Sequence, residues 1–171
     1  MPNPTNQMRK IPAAASLDRI DCGILAALQE NARLSNKELA IRVGLSQSSC
    51  LERVRRLEAR KVLRGYHADV DPTALGIRLE AICSVRLGLH SRDEFEHFFS
   101  AVCVLPEVID VYELAGATDY LVHVVVRDAD HLRELMHDRI SARPEVSHLE
   151  TALVFRHSAR KTLPQYVEDE L

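Results

Sequence analysis

The side chains best suited to recognition chemistry lie in residues 46–66, where six Lys/Arg stand against two Glu. Cys50, Val54 and Leu57 recur at i, i+4 and i+7, the apolar stripe of a helix. Ser48, Ser49, Glu52, Arg55 and Arg56 then project from the opposite side, with Gln47 and Arg53 flanking. Short polar residues at a helix N-terminal end suit close approach to base edges in a DNA major groove. Arginines one turn further along can reach phosphates. Ser35 and Lys37, on the preceding helix, complete the candidate DNA-contacting set. The competing reading is the solvated basic face of an ordinary three-helix unit. The tight turn before the helix and its polar start favour DNA.

Catalytic and metal chemistry find less support. None of the eight histidines forms an i, i+4 pair on a helix, and His97, His131 and His137 are isolated in this sense. His123 lies inside an apolar run on the Leu121/Val125 side, which suits a buried, hydrogen-bonded histidine. The chain has no GxSxG, phosphate loop or HExxH. Cys22, Cys50, Cys83 and Cys103 show no CxxC spacing, so reduced thiols are expected, the last three as small core residues. No metal and no cofactor are expected.

Positioning the recognition residues requires a set of elements that the sequence spells out. Residues 1–16 read as a flexible arm. Asp18 opens a helix carrying Leu17, Ile20, Ile24, Leu25 and Leu28 that should stop near Asn31. Ser35 with Glu38 is a capping box for a second helix, and Gly44 ends it. Ser46 caps the third. Residues 17–63 are therefore a helix-turn-helix domain. Residues 64–76, with Asp71-Pro72 and Gly76, read as a hairpin and linker, giving the winged type of this unit.

Residues 77–157 change period. Ile77, Leu79, Ala81, Cys83, Val85 and Leu87 alternate as a strand; Phe95, Phe98, Phe99 and Val102 mark a helix; residues 108–114 form a second strand. Residues 119–127 are nearly unbroken apolar, which predicts a central strand covered on both faces. Leu132, Leu135, Met136 and Ile140 mark another helix, and residues 146–156 a last strand with Leu149, Leu153 and Phe155 on one face. The order β-α-β-β-α-β is the ferredoxin-like unit, so the fold class is α+β. Its sheet has one face for the helices and one that needs a partner, and a helix-turn-helix reads only a half-site. A homodimer on a pseudo-palindromic operator is therefore expected. Residues 158–171 are a tail without periodicity.

Bulk properties agree. The chain of 171 residues is 46% hydrophobic and 27% charged, ordinary for a packed globular protein. No apolar run approaches the roughly 18 residues that span a bilayer, and residues 1–10 do not form a secretory signal. A cytoplasmic, nucleoid-associated protein is expected, with no membrane partner. The net charge of −3 hides an asymmetry: residues 1–76 carry +4 and residues 77–171 carry −7.

Residues 17–76, from LDRIDCGILAALQENARLSNKELAIRVGLS through RVRRLE to GYHADVDPTALG, resemble the Lrp/AsnC ("feast/famine") family of transcription regulators, and VYELAGATDYLVHVVVRD extends the resemblance across residues 17–157. Family members usually carry Gly where this chain has Lys61. Either the helix cap differs there or Lys61 adds a phosphate contact. The resemblance implies a bacterial or archaeal regulator that assembles into dimers, and into tetramers or octamers, around an amino-acid effector. It places that effector at the turn joining the second and third strands: Leu114, Ala115, Gly116, Thr118, Asp119 and Tyr120, with Ala152, Leu153 and Val154 nearby. Backbone amides around Gly116 would hold a carboxylate and Asp119 an ammonium. Read without the resemblance, the same turn is a plain hairpin in which Asp119 caps backbone amides. Two alternatives of other classes are a tetrapyrrole decarboxylase on the same layout, disfavoured by the absence of His at this turn, and an architectural DNA-binding protein.

Overall fold

The computed structural model describes residues 17–88, 91–160 and 162–166. The expected arm, residues 1–16, lies outside them. The chain divides into two compact units, Val70–His157 and the described parts of residues 6–69 with 158–171.

The helical unit contains α1 (Arg19–Glu30), α2 (Asn36–Val43) and α3 (Gln47–Ala59). Each starts where a side chain replaces the missing intrahelical acceptor. Asp18 accepts the Asp21 N–H, Ser35 and Glu38 form the reciprocal capping box, and Ser46 accepts the Ser49 N–H. Gly44 ends α2 in the left-handed region at φ 70°. Asn36 Nδ2 donates to the Gln47 carbonyl at 2.8 Å, tying the first turns of α2 and α3 together. Ile24, Ala27 and Leu28 of α1 pack with Leu39 and Ala40 of α2 and Cys50 and Leu57 of α3.

Lys61 has φ 58°, the single positive φ outside glycine among the described residues. The left-handed cap after α3 is therefore kept, with the Lys61 and Val62 N–H groups donating to the Glu58 and Leu57 carbonyls at 2.9 and 3.0 Å. A Cβ in that region costs on the order of 1 kcal/mol.

Among the described residues, 64–71 carry no strand, so the expected hairpin is not formed there. An isolated two-stranded ribbon is marginal in water, and this segment meets no strand to pair with among the described residues. A 3₁₀ turn (Pro72–Leu75) capped by Asp71 closes at Gly76 instead. The tail belongs to the helical unit: Leu163 N–H donates to Gln29 Oε1 at 2.8 Å and Gln165 Nε2 to the Cys22 carbonyl at 2.9 Å.

The α/β unit runs β1 (Leu79–Leu87), α4 (Arg92–Val102), β2 (Val108–Glu113), β3 (Tyr120–Val126), α5 (Ala129–Glu134) continued by a π-helical stretch (Leu135–Ser141), then β4 (Val146–Leu153). The sheet order is β2-β3-β1-β4 and every pairing is antiparallel, the ferredoxin-like arrangement. One face is closed. Ala81, Cys83, Val85 and Leu87 of β1 and Tyr120, Val122, Val124 and Val126 of β3 pack under Phe98, Val102, Leu132, Met136 and Ile140. Burial pushes the Cys83 thiol up to about 11, consistent with a core residue.

The opposite face is only half covered within one chain. Its Leu121 and Val125 are half-buried, and Ile82, Ile109 and Tyr112 are exposed. His123 is buried there against Glu80 Oε1, the structural histidine its position suggested. β4 stops at Leu153, leaving Phe155 almost fully exposed. Among the described residues no helix is long and apolar enough to cross a membrane, and no group of His, Cys, Asp and Glu could hold a metal ion.

Candidate DNA interface and effector pocket

The structure sorts the recognition residues into two sets. Gln47, Ser48, Ser49, Glu52 and Arg55 are exposed along α3, and Lys37 on α2. Arg55 makes no hydrogen bond or ion pair among the described residues, so its guanidinium is open to a phosphate. The Ser46 hydroxyl donates to Ser49 Oγ at 2.9 Å and lies 3.1 Å from Ser48 Oγ, clustering three hydroxyls at the start of α3. Ser35 donates its hydroxyl proton to Glu38 Oε2 at 2.7 Å, so it serves α2's cap first.

Arg53 and Arg56 form the second set. Both turn toward α1. Arg53 Nη1 reaches Asp18 Oδ2 at 2.5 Å and Asp21 Oδ1 at 2.9 Å, and Arg56 Nη2 donates to both Asp21 oxygens at 3.1 and 2.9 Å. Arg53, one of the two residues expected to flank the polar side of α3, is thus tied to α1. A buried carboxylate attracts it more strongly than water does. The Arg53 contact holds the Asp18 carboxyl below the usual carboxylate range. Asp21 was legible in principle: it interrupts the apolar stripe of α1, and a carboxylate there demands a cation.

In the α/β unit the turn between β2 and β3 is built around Asp119. Its carboxylate is only 7% exposed and accepts the Leu87 N–H at 2.8 Å. Its own N–H donates to the Val85 carbonyl and its carbonyl accepts the Leu114 N–H. This is the reading of the turn in which Asp119 caps a backbone amide. The Asp119 carboxylate caps backbone, because an unpaired buried N–H would cost more than a solvated carboxylate gains. Tyr120 is fully buried and donates to the Phe95 carbonyl at 3.1 Å, and burial raises its phenol strongly. It is a core residue, not a pocket wall.

Leu114, Ala115 and Gly116 stay on the surface, Gly116 at φ 146°, as do Ala152 and Leu153. Val154 is half-buried and its N–H donates to the Glu80 carbonyl. Of the expected effector residues, Thr118 lines a cleft in the α/β unit. That cleft, of roughly 280 Å³, opens on the uncovered sheet face and is lined by Ser84, Val85, Arg86, Thr118, Ser147, His148 and Glu150. In the ladder Ser84 stands opposite Glu150, and Arg86 opposite His148. Arg86 Nε donates to the Ala117 carbonyl at 2.9 Å, fixing the guanidinium against the turn, and His148 Nε2 lies 3.1 Å from Glu150 Oε1. A fixed guanidinium and a carboxylate in a lining with three hydroxyls suit a zwitterion. The sequence reading missed Arg86, His148 and Glu150 because only strand register brings them together.

Comparison with known proteins places this arrangement. Residues 17–58 match the AsnC-type helix-turn-helix domain and residues 80–164 the Lrp/AsnC ligand binding domain. The chain is 41% identical over 144 residues to the HTH-type transcriptional regulator AldR of Mycolicibacterium smegmatis, covering 84% of each chain. It is 40% identical over 138 residues to the leucine-responsive regulatory protein of Escherichia coli, covering 81% of this chain and 84% of that one. A solved transcriptional regulator from Neisseria meningitidis in complex with L-Met superposes with a TM-score of 0.81 at 34% identity, over 86% of this chain and 96% of the other. These relatives are named as regulators, not as enzymes. With both domains matched in order and two fifths of the aligned residues identical, the chain belongs to the Lrp/AsnC family of transcription regulators.

Proposed function

We propose that the chain is a sequence-specific DNA-binding transcription regulator whose α/β unit binds an α-amino acid in the cleft between Arg86 and Glu150. The observation that carries the effector reading is the fixed Arg86 guanidinium facing two serines and a carboxylate on an otherwise uncovered sheet face. The effector carboxylate pairs with the free nitrogens of Arg86 and its ammonium with Glu150. Turn 114–118 forms the rim beside Thr118, and Ala152 extends the same face past Glu150. The L-Met complex of the Neisseria regulator supports an amino acid as the ligand class.

DNA binding falls to the exposed start of α3. Gln47, Ser48 and Ser49 lie nearest the bases, while Arg55 and Lys37 serve phosphates. The operator is pseudo-palindromic because the protein pairs. The apolar part of the same sheet face, with Ile82, Ile109 and Tyr112, serves as the pairing surface, so cleft and pairing surface share one face, and dimers assemble further into tetramers or octamers. The protein acts in the cytoplasm on the nucleoid.

Calorimetric titration of the twenty amino acids into the full chain tests the effector site. At least one should bind, and Arg86→Ala and Glu150→Gln should each abolish it without loss of the native fold. Binding that survives both changes would move the effector elsewhere.

A further inference from the structure

Asp21 is a buried carboxylate that DNA binding does not use directly, yet it holds two of the three cations of α3. Its side chain is 1% exposed and accepts from both Arg53 and Arg56, while Asp18 takes the other contact of Arg53. The four groups sum to zero charge. Arg56 is 49% exposed at its side chain, so it stands beside the surface that meets DNA but with its charge already balanced. Arg55 alone is left unpaired among the cations of α3.

Phosphate contacts are sequence-indifferent and supply most of non-specific affinity, whereas base contacts discriminate. A recognition helix with three loose arginines would bind any duplex well. Resting on the DNA-binding reading above, we propose that Asp21 is a positioning residue for DNA recognition. By locking Arg53 and Arg56 against α1, it withholds their charge from phosphate and leaves discrimination to the polar first turn of α3. Asp21 thereby sets the ratio of specific to non-specific binding rather than overall affinity.

Two duplexes test this over a range of salt: one selected from random sequence for tight binding by the wild-type chain, and one scrambled at the same composition. Asp21→Asn removes one negative charge and frees Arg56. Affinity for the scrambled duplex should rise several-fold, and the slope of log affinity against log salt should steepen by about 0.9 per subunit, the value of one added phosphate contact. The selected-to-scrambled ratio should fall. Adding Arg56→Gln to Asp21→Asn should return the slope to the wild-type value.

A merely structural Asp21 would instead weaken both duplexes together with an unchanged or shallower slope, and that result overturns the proposal. Should Asp21→Asn fail to fold, Arg56→Gln alone decides: an arginine withheld from phosphate leaves the slope at the wild-type value, and a slope shallower by about 0.9 per subunit rejects the lock. A wild-type chain that selects no duplex at all overturns the DNA-binding reading itself.

Discussion

The Asp119 carboxylate accepts the backbone N–H of Leu87 at 2.8 Å, joining the turn before β3 to the last residue of β1. Both groups are buried, and the turn is further closed by Asp119 N–H to Val85 and Leu114 N–H to the Asp119 carbonyl. Asp119 is thus the clasp of the β2–β3 turn, the alternative in which it caps backbone amides. Removing the carboxylate leaves a buried N–H without a partner, which costs roughly 1–3 kcal/mol. Asp119→Ala should therefore lower the unfolding free energy of the α/β unit by about that amount in urea. A variant as stable as wild type would show that the clasp contributes nothing.

Lys61 offers a gain in stability. It occupies the left-handed cap after α3 at φ 58°, where a side chain costs about 1–2 kcal/mol and glycine avoids that penalty at some cost in chain entropy. Lys61→Gly should stabilise the helical unit by about 1 kcal/mol. Thermal unfolding would register this as a higher Tm, and an unchanged or lower Tm would contradict the strain.

Glu145 makes acid sensitivity specific. Burial works to raise its carboxyl, but its own backbone N–H, Arg143 and His97 outweigh burial and hold it below the ordinary 4.5. A depressed carboxylate stabilises fully above its unfolded value and loses that contribution as pH falls through the lower folded value. The α/β unit should keep this stabilisation above about pH 4.5 and lose it progressively below. Glu145→Gln should flatten that acid limb, and a variant with the wild-type pH profile would count against it.

The helical fold was legible in its caps. Asp18, Ser35 with Glu38, Gly44 and Ser46 each mark a boundary because a cap is a local hydrogen bond between near neighbours in sequence. The strands were legible for a similar reason, since period-two alternation in β1 reports one buried face; the apolar run of β3 marked a central strand, but the cover expected on both its faces is found on one, with Leu121 and Val125 half-buried on the other. The candidate sites were less so. Arg53 and Arg56 meet Asp21 across more than thirty residues, and Arg86, His148 and Glu150 meet through a strand register that no local pattern encodes. The hairpin expected at residues 64–76 failed because turn residues mark where a chain can bend, not whether a partner strand exists.

On α3, base and phosphate readers should separate by experiment. Gln47→Ala should alter preference among selected duplexes, with about 1–3 kcal/mol of discrimination at the position it reads. Arg55→Ala should weaken all duplexes alike and make the salt slope shallower by about 0.9 per subunit. Competition binding against a panel of single-base variants distinguishes the two. Equal effects of both changes on every duplex would place base reading elsewhere.

The pairing surface predicts a mass of at least twice the 19.3 kDa of the chain in light scattering at micromolar concentration. Tyr112→Glu would place charge on that surface and should shift the population toward the single chain. A wild-type mass of one chain would remove the dimer.

An amino acid bound to the α/β unit should change what the helical unit does on DNA. The most direct measurement is the affinity of the full chain for its selected duplex, with and without each of the twenty amino acids in turn. At least one of them should shift that affinity by roughly 5–150-fold, the usual scale of such coupling, and Arg86→Ala should remove the shift while unliganded DNA affinity stays at the wild-type value. Tight DNA binding that no amino acid alters would contradict it.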